Sequence, residues 1–177
     1  MQKLIFLNGF AGCGKSTIAR LYRDNHPLTL SLEDDEIITM LGQWQSNWDE
    51  AVQAKLALSE VMVRTHLARG YSVIRPFLLT DPKHAESYEH IAQEYGAAFY
   101  EIYLEVERED AIARLLKRGS WGEAGSPPFT DKDLPEIEDL FDRMITATKA
   151  RNSAKVLHPN YGKIEETYAA LLKLVGE

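Results

Sequence analysis

The sequence lacks the features of an extracellular or membrane protein. It has one cysteine, Cys13, in 177 residues, so no disulfide framework can form within the chain, which fits a reducing compartment. No apolar run approaches the roughly 18–20 residues that a membrane-spanning helix needs. No charged-then-apolar leader precedes Leu4, so no secretory signal is evident. We therefore expect a cytoplasmic protein that works away from the membrane.

An excess of basic residues is also missing. The formal net charge is −7, and a broad electrostatic attraction to nucleic acid is not expected at that charge. Phosphate groups would have to be bound locally, by a few placed residues. The length of 177 residues fits one domain spanning residues 1–177 that can bury a sizeable apolar core.

A glycine-rich segment near the start of the chain predicts a phosphate site. Residues 9–16 read GFAGCGKS and fit the pattern G-x-x-x-x-G-K-[ST]. The apolar run 3–7 predicts a buried strand before the segment, and residues 17–22 predict a helix after it. In that setting backbone N–H groups and the helix N-terminus bind phosphates. Lys15 would reach the β- and γ-phosphates, and the Ser16 hydroxyl would bind Mg²⁺. The predicted ATP-binding residues of the loop are Gly9, Ala11, Gly12, Cys13, Gly14, Lys15, Ser16 and Thr17.

Four consecutive acids follow a second predicted strand, residues 28–32. Glu33, Asp34, Asp35 and Glu36 would stand at the carboxyl edge of a sheet, where ligands collect in open α/β folds. While the chain stays extended, Glu33 and Asp35 would point in the same direction. The acids could cap a helix predicted over 37–41, or one of them could act in catalysis or near Mg²⁺. Which of Glu33, Asp34 and Asp35 would act as a general base in catalysis stays open.

Two later segments offer contacts for a second substrate. Trp44 and Trp48 stand in a polar stretch and could form an aromatic wall or pack in the core. A third predicted strand, 71–74, is followed by Arg75, Pro76 and Phe77. Arginine at the edge of a sheet predicts an anion-binding side chain, with a surface arginine as the alternative. Trp44, Arg75 and Phe77 are the candidate contacts of a second substrate, the molecule that would accept a phosphoryl group. The rings of Trp44 and Phe77 hint at a flat or apolar acceptor.

The remaining pattern alternates helices and strands. A long helix is predicted over 49–69, with Ala54, Leu58, Val61 and Ala68 on its buried face. Further helices are predicted over 81–95, 109–118, 133–151 and 164–175, and strands over 99–104 and 155–157. Alternation of this kind predicts a largely parallel sheet with helices on both faces.

A basic helix end leads into a loop rich in glycine and proline. Arg114, Lys117 and Arg118 lie on adjacent turns of the helix predicted over 109–118, and the composition that follows is typical of a mobile lid, at about 117–132. Closure of such a lid would bring positive charge onto phosphates and exclude water. A solvated basic helix face is the alternative.

Residues 1–176 resemble the small P-loop kinases, a group that includes shikimate, gluconate, adenylylsulfate and nucleoside monophosphate kinases. The opening Leu7-Asn8-Gly9 and the later layout look most similar to the chloramphenicol phosphotransferase-like and zeta-toxin-like kinases. The resemblance implies a three-layer α/β/α fold with a five-stranded parallel sheet, and ATP and Mg²⁺ as cofactors.

The resemblance also implies roles for single residues. Asp35 takes the place of the aspartate that accepts the proton of the acceptor hydroxyl, and Glu33 that of a more variable partner near Mg²⁺. Arg114 would lie near the adenine and Arg118 on the transferring phosphate, so the implied catalytic residues are Lys15, Asp35 and Arg118. The chain departs from the pattern at Ile38, where several relatives carry an arginine that grips the acceptor. It departs again at Arg75, where a Walker-B-type acid is missing.

The expected activity is phosphoryl transfer from ATP·Mg to a hydroxyl of a small molecule. One alternative is a nucleotide kinase, whose acceptor is a phosphate. Another is a nucleotide-dependent ATPase or switch module without a small acceptor, although no Asn-Lys-x-Asp segment that would read guanine occurs. We expect a monomer or homodimer with a small-molecule partner and no nucleic acid.

Overall fold

A parallel β-sheet forms the centre of the molecule. The computed structural model describes residues 1–119 and 129–177. The strands in these ranges are β1 (Lys3–Gly9), β2 (Leu30–Ser31), β3 (Val73–Phe77), β4 (Ala98–Leu104) and β5 (Lys155–Leu157). They pair in parallel throughout, in the order β2-β3-β1-β4-β5. The predicted five-stranded parallel sheet is therefore confirmed.

Helices cover both faces of this sheet. They are α1 (Lys15–Asn25), α2 (Asp34–Thr39), α3 (Trp48–Ala68), α4 (Pro82–Glu94), α5 (Arg108–Arg118), α6 (Leu134–Lys149) and α7 (Ile164–Leu174), with a 3₁₀ turn at Trp44–Asn47. On one face, Ile5 and Leu7 of β1 pack with residues of α1 and α7. On the other, Leu4 and Phe6 pack with residues of α3 and α4. Burial of both faces explains why residues 4–7 of β1 are an unbroken apolar run, as parallel strands usually contain.

The segment after β2 turns into a helix sooner than predicted. Helix α2 begins at Asp34, three residues before the predicted start, so Asp34, Asp35 and Glu36 form its first turn. The expectation that Glu33 and Asp35 share one direction in an extended chain is wrong for this reason. Strand β2 is also shorter than predicted, because Leu28 has a φ of 60° and Thr29 N–H bonds back to His26 O in a turn.

Helix α3 presents a different face to the core than the predicted one. Leu58 and Val61 are 45% and 61% exposed, and the buried residues are Ala51, Ser59, Val63 and Leu67. The buried stripe includes a serine because its hydroxyl donates to Asp34 Oδ1 at 2.9 Å. That partner lies 25 residues away, so the periodicity of the helix alone could not select this face.

Candidate active site

The glycine-rich segment forms a tight turn between β1 and α1. Gly12 and Gly14 have φ values of 79° and 96°, in the left-handed region that glycine adopts without strain. At Gly9, a Cβ atom would lie 2.8 Å from Cys13 Sγ and 3.1 Å from Leu104 O. The loop therefore depends on glycine for two reasons, backbone conformation at Gly12 and Gly14 and close packing at Gly9.

The backbone N–H groups at the start of α1 are suited to bind an anion. Gly14 precedes α1 and has no side chain to cap it, so the N–H groups of the first turn remain available for an anion. Ser16 and Thr17 lie in that first turn. Lys15 folds back and donates from Nζ to Phe10 O at 2.7 Å. A phosphate offers this ammonium a stronger, charge-assisted hydrogen bond than a carbonyl does.

A cavity of about 520 Å³ opens beside the loop. The loop and the start of α1 form one wall, through residues that include Gly12, Cys13, Gly14 and Thr17. Arg114 of α5 and the segment 159–162 form the other wall. The Arg114 guanidinium stacks on the ring of Tyr161. The structure thus brings Arg114 next to the phosphate loop, where the resemblance implied a contact with the base.

Tyr161 lies in a segment from which the sequence predicts no function. It follows β5 in a stretch without a recognisable pattern, and its place beside Arg114 depends on how α7 packs on α1. Asn8 was missed as a structural residue in the same way. Its buried amide donates to Thr148 Oγ1 at 2.8 Å and accepts from Leu79 N–H at 3.0 Å, which ties the strand before the loop to α6 and the β3–α4 turn. A polar residue at the end of an apolar run is the only signal of this role in the sequence.

The four consecutive acids have four different environments. Glu33 accepts from Arg20 Nε at 2.9 Å, and Glu36 forms an exposed ion pair with the same arginine. Asp34 is buried and holds the contacts described next. Asp35 is exposed, and no residue in the described ranges forms an ion pair or hydrogen bond with its carboxylate. It is therefore the acid of the four whose oxygens stay available at this edge of the sheet.

Asp34 forms a buried ion pair with Arg75. Both carboxylate oxygens lie 2.8 Å from Arg75 Nη2, and Ser59 Oγ donates to one of them. Arg75 is fully buried within β3, with its guanidinium carbon 4.3 Å from the ring centroids of Phe77 and Tyr88. The alternative of a surface arginine is therefore wrong. The anion that Arg75 binds in this structure is Asp34, and its contact with an acceptor stays a prediction.

The two predicted aromatic contacts lie in different settings. Trp44 is 9% exposed and packs in a small apolar cluster with Ile38 and Ala51. Phe77 ends β3, is half-buried, and lies between Phe6 at 5.3 Å and His84 at 5.6 Å, measured between ring centroids. Phe77 stands at the carboxyl edge of the sheet, and Trp44 belongs to the packing between α2 and α3. Their roles in acceptor binding stay predictions.

The lid predicted over about 117–132 falls largely on residues 120–128, which lie outside the described ranges. Arg118 is the last residue of α5 and leads into that segment. In the described ranges, no group of three or more His, Cys, Asp or Glu side chains could hold a metal ion by itself. No helix there is both long and apolar enough to span a bilayer.

A family model described as an AAA domain matches residues 4–136. The chain belongs to this family. It is 25% identical over 146 residues to the adenylyl-sulfate kinase of Myxococcus xanthus (strain DK1622), a match that covers 76% of this chain and 79% of the kinase. The resemblance to the small P-loop kinases is thereby confirmed.

Solved structures of other proteins share the fold. The tunicamycin resistance protein of Deinococcus radiodurans superposes with a TM-score of 0.61 at 14% identity, over 99% of this chain and 96% of that one. Shikimate kinase from Aquifex aeolicus gives a TM-score of 0.61 at 17% identity, over 98% and 96% of the two chains. At such identities the likeness establishes the fold, which is the α/β architecture of the P-loop kinases.

Proposed function

We propose that this protein is an ATP-dependent phosphotransferase that moves the γ-phosphoryl group of ATP·Mg to a hydroxyl of a small molecule. The observation that carries the proposal is the cavity between Arg114 and the phosphate loop. It continues into the backbone donors at the start of α1, which no side chain caps, so one ligand with a base and a phosphate chain could fill both. The kinase relative from Myxococcus xanthus supports the same reaction class.

The donor nucleotide would be held by the loop and the cavity. Lys15 Nζ would leave its hydrogen bond to Phe10 O and bind the β- and γ-phosphates instead. Arg114 would contact the base. Ser16 is the first-turn hydroxyl suited to hold Mg²⁺, and the ion would supply neutralisation of phosphate charge. Glu33 is a weaker candidate for a metal contact, because its carboxylate is already engaged by Arg20.

Transfer forms a bond between the acceptor oxygen and the γ-phosphorus, and breaks the bond from that phosphorus to the β,γ-bridging oxygen. The acceptor hydroxyl gives its proton to Asp35, the available acid at this edge. Arg118 neutralises the charge that spreads over the γ-oxygens. Positioning and charge stabilisation dominate catalysis in this reaction class, and the protein does little covalent chemistry.

The proposal is tested by mass spectrometry of a cell extract incubated with ATP·Mg and the native protein. Parallel incubations contain Lys15→Ala and, as a matched control, Lys83→Ala, which removes an exposed lysine on α4. We expect one metabolite to gain a phosphoryl group with the native and Lys83→Ala proteins and not with Lys15→Ala. A phosphoryl group added to an existing phosphate would instead indicate a nucleotide-type kinase. Lys15-dependent ATP consumption without any phosphorylated metabolite would indicate an ATPase.

A further inference from the structure

The outward face of helix α3 is apolar and lies open to solvent. Its members, which form the outer stripe of α3, are Ala54, Ala57, Leu58, Val61, Met62 and Thr65. They recur at spacings of three and four residues, which place them on one helix face. Leu58, Val61 and Met62 are 45%, 61% and 40% exposed. A continuous apolar patch on a protein surface usually marks an interaction surface.

Opposite charges flank the stripe at the two ends of the helix. Asp49 and Glu50 lie in the first turn of α3, and Arg69 follows its last residue. All three are exposed, and in the part of the chain that the structure describes none of their side chains forms an ion pair or a hydrogen bond. The two acids also line a hollow of about 480 Å³ beside Trp48. Tyr71, just beyond the other end, is 38% exposed. One end of α3 therefore offers acids and a hollow, and the other offers a base and a ring.

A second copy of α3, laid antiparallel on the outer stripe, matches these two ends. The two-fold axis then passes the middle of the stripe, halfway between Leu58 and Val61. Glu50 lies eight residues before Leu58, and Arg69 lies eight residues after Val61, so each Glu50 comes level with Arg69 of the other copy. By the same count, the hollow at the start of one helix comes level with the ring of Tyr71 from the other. A two-fold interface requires a self-complementary surface of this kind.

The charges favour the antiparallel arrangement over a parallel one. In a parallel pair Glu50 would come level with Glu50 and Arg69 with Arg69, and like charges placed opposite each other disfavour association. The small side chains of Ala54 and Ala57 allow the two helices to approach to the usual axial separation of about 8–10 Å. The stripe thus has the shape, polarity and charge order that fit an identical helix.

We propose that the outer stripe of α3 is the interface of a homodimer, in which the two copies of the helix pack antiparallel. This interface explains why a face with the apolar pattern of a buried one is exposed in a single chain, and it does not rest on the proposed function. A helix of 21 residues is about 31 Å long, and a contact of that length and one helix width falls below the standard interface of about 800 Å² per partner. The dimer should therefore dissociate at micromolar concentrations.

The first test measures the mass of the protein by sedimentation equilibrium from about 1 to about 200 μM, a range that brackets a micromolar dissociation constant. The native protein is compared with Val61→Glu and with the matched control Val156→Glu, which makes the same change at a residue of β5 that is 46% exposed. We expect the native protein and Val156→Glu to pass from one chain to two, and Val61→Glu to dimerise at least tenfold more weakly. A native protein that stays monomeric throughout, or equal dimerisation in Val61→Glu, would overturn the interface.

The second test reverses the charges at the ends of the helix, which lie on the surface and leave the fold intact. At low ionic strength, Glu50→Arg and Arg69→Glu should each weaken dimerisation about fivefold, because like charges then come level. The double variant Glu50→Arg/Arg69→Glu should dimerise as the native protein does, since each new arginine meets a new glutamate. Single reversals without effect, or a double variant as weak as the single ones, would overturn the antiparallel pairing.

Discussion

Asp34 and Asp35 are neighbours in sequence with opposite environments. Helix α2 turns the first toward the core and the second toward solvent. The side chain of Asp34 is 8% exposed and that of its partner Arg75 is fully buried. Removal of one member of a buried pair leaves an uncompensated charge, whereas replacement of both by apolar residues is often neutral. The two acids should therefore respond to substitution in different ways.

The substitution Asp34→Asn should lower the free energy of unfolding by about 3–5 kcal/mol, because Arg75 would stay buried and charged. Urea denaturation measures this loss. The double variant Asp34→Leu/Arg75→Met should recover most of it, since an apolar pair of similar volume can fill the site. Equal stability of Asp34→Asn and the native protein would show that the ion pair does not stabilise the fold.

The substitution Asp35→Asn should leave stability within about 0.5 kcal/mol, as exposed substitutions usually do. It should lower turnover by about 100-fold to 10,000-fold, the range that a lost general base produces. Steady-state kinetics with the acceptor from the extract experiment gives the value. Unchanged turnover would exclude Asp35 as the general base and would make Glu33 the next candidate for that role.

His84 should make stability depend on pH. Burial is the largest cause that lowers its pKa from the ordinary value of 6.5, so the unfolded chain takes up a proton at a higher pH than the folded protein. Stability should therefore fall as pH decreases below about 6.5, the unfolded value. Urea denaturation at pH 7.5 and 5.5 should show a smaller decrease for His84→Gln than for the native protein. An equal decrease in both would contradict the role of His84.

The sequence predicted nearly every helix and strand, because strong apolar periodicity and turn residues delimit them. Strand β5, for example, spans the predicted residues Lys155–Leu157. Local sequence patterns mislead where a contact with a distant residue determines which side chains are buried. The face of α3 is selected by Ser59 meeting Asp34, and the burial of Arg75 by the same acid and two aromatic rings. No local pattern reports such contacts.

The phosphate loop shows how packing constrains an element that sequence identifies easily. Gly9→Ala places a methyl group within 3.1 Å of the Leu104 carbonyl and 2.8 Å of Cys13 Sγ. Overpacking of this kind costs about 1–3 kcal/mol, and we also expect weaker nucleotide binding because the loop must shift. Thermal unfolding with and without ADP·Mg tests both effects. Gly42→Ala is the control, since no atom lies within 4 Å of its added Cβ, and equal behaviour of the two variants would contradict this account.

The end of α5 carries the predicted transition-state arginine. Arg118→Ala should lower turnover about a thousandfold or more, the effect of losing an arginine that neutralises phosphoryl charge, with little change in ATP affinity. Lys149→Ala is a matched control, because Lys149 is exposed and ends α6 as Arg118 ends α5. Turnover reduced equally in both variants, or in neither, would exclude a specific role for Arg118.

At the scale of the whole molecule, the sheet gathers residues that are far apart in sequence. The phosphate loop follows β1, the acids follow β2, and Arg75 and Phe77 belong to β3, which pairs with both neighbours. Parallel pairing brings these carboxyl ends to one edge, so the region of the site was predictable from the alternation of strands and helices. The place of Tyr161 in the cavity wall depends on how helices pack on the sheet and was not predictable.

In the proposed reaction the phosphoryl group leaves ATP for an organic acceptor. We would incubate a cell extract and Mg²⁺ with ATP that carries ¹⁸O in its γ-phosphoryl group, and compare the native protein with Lys15→Ala. We expect the labelled group to appear on one organic metabolite with the native protein only. Label found in inorganic phosphate alone would mean that water accepts the phosphoryl group, and would contradict the assignment of a phosphotransferase.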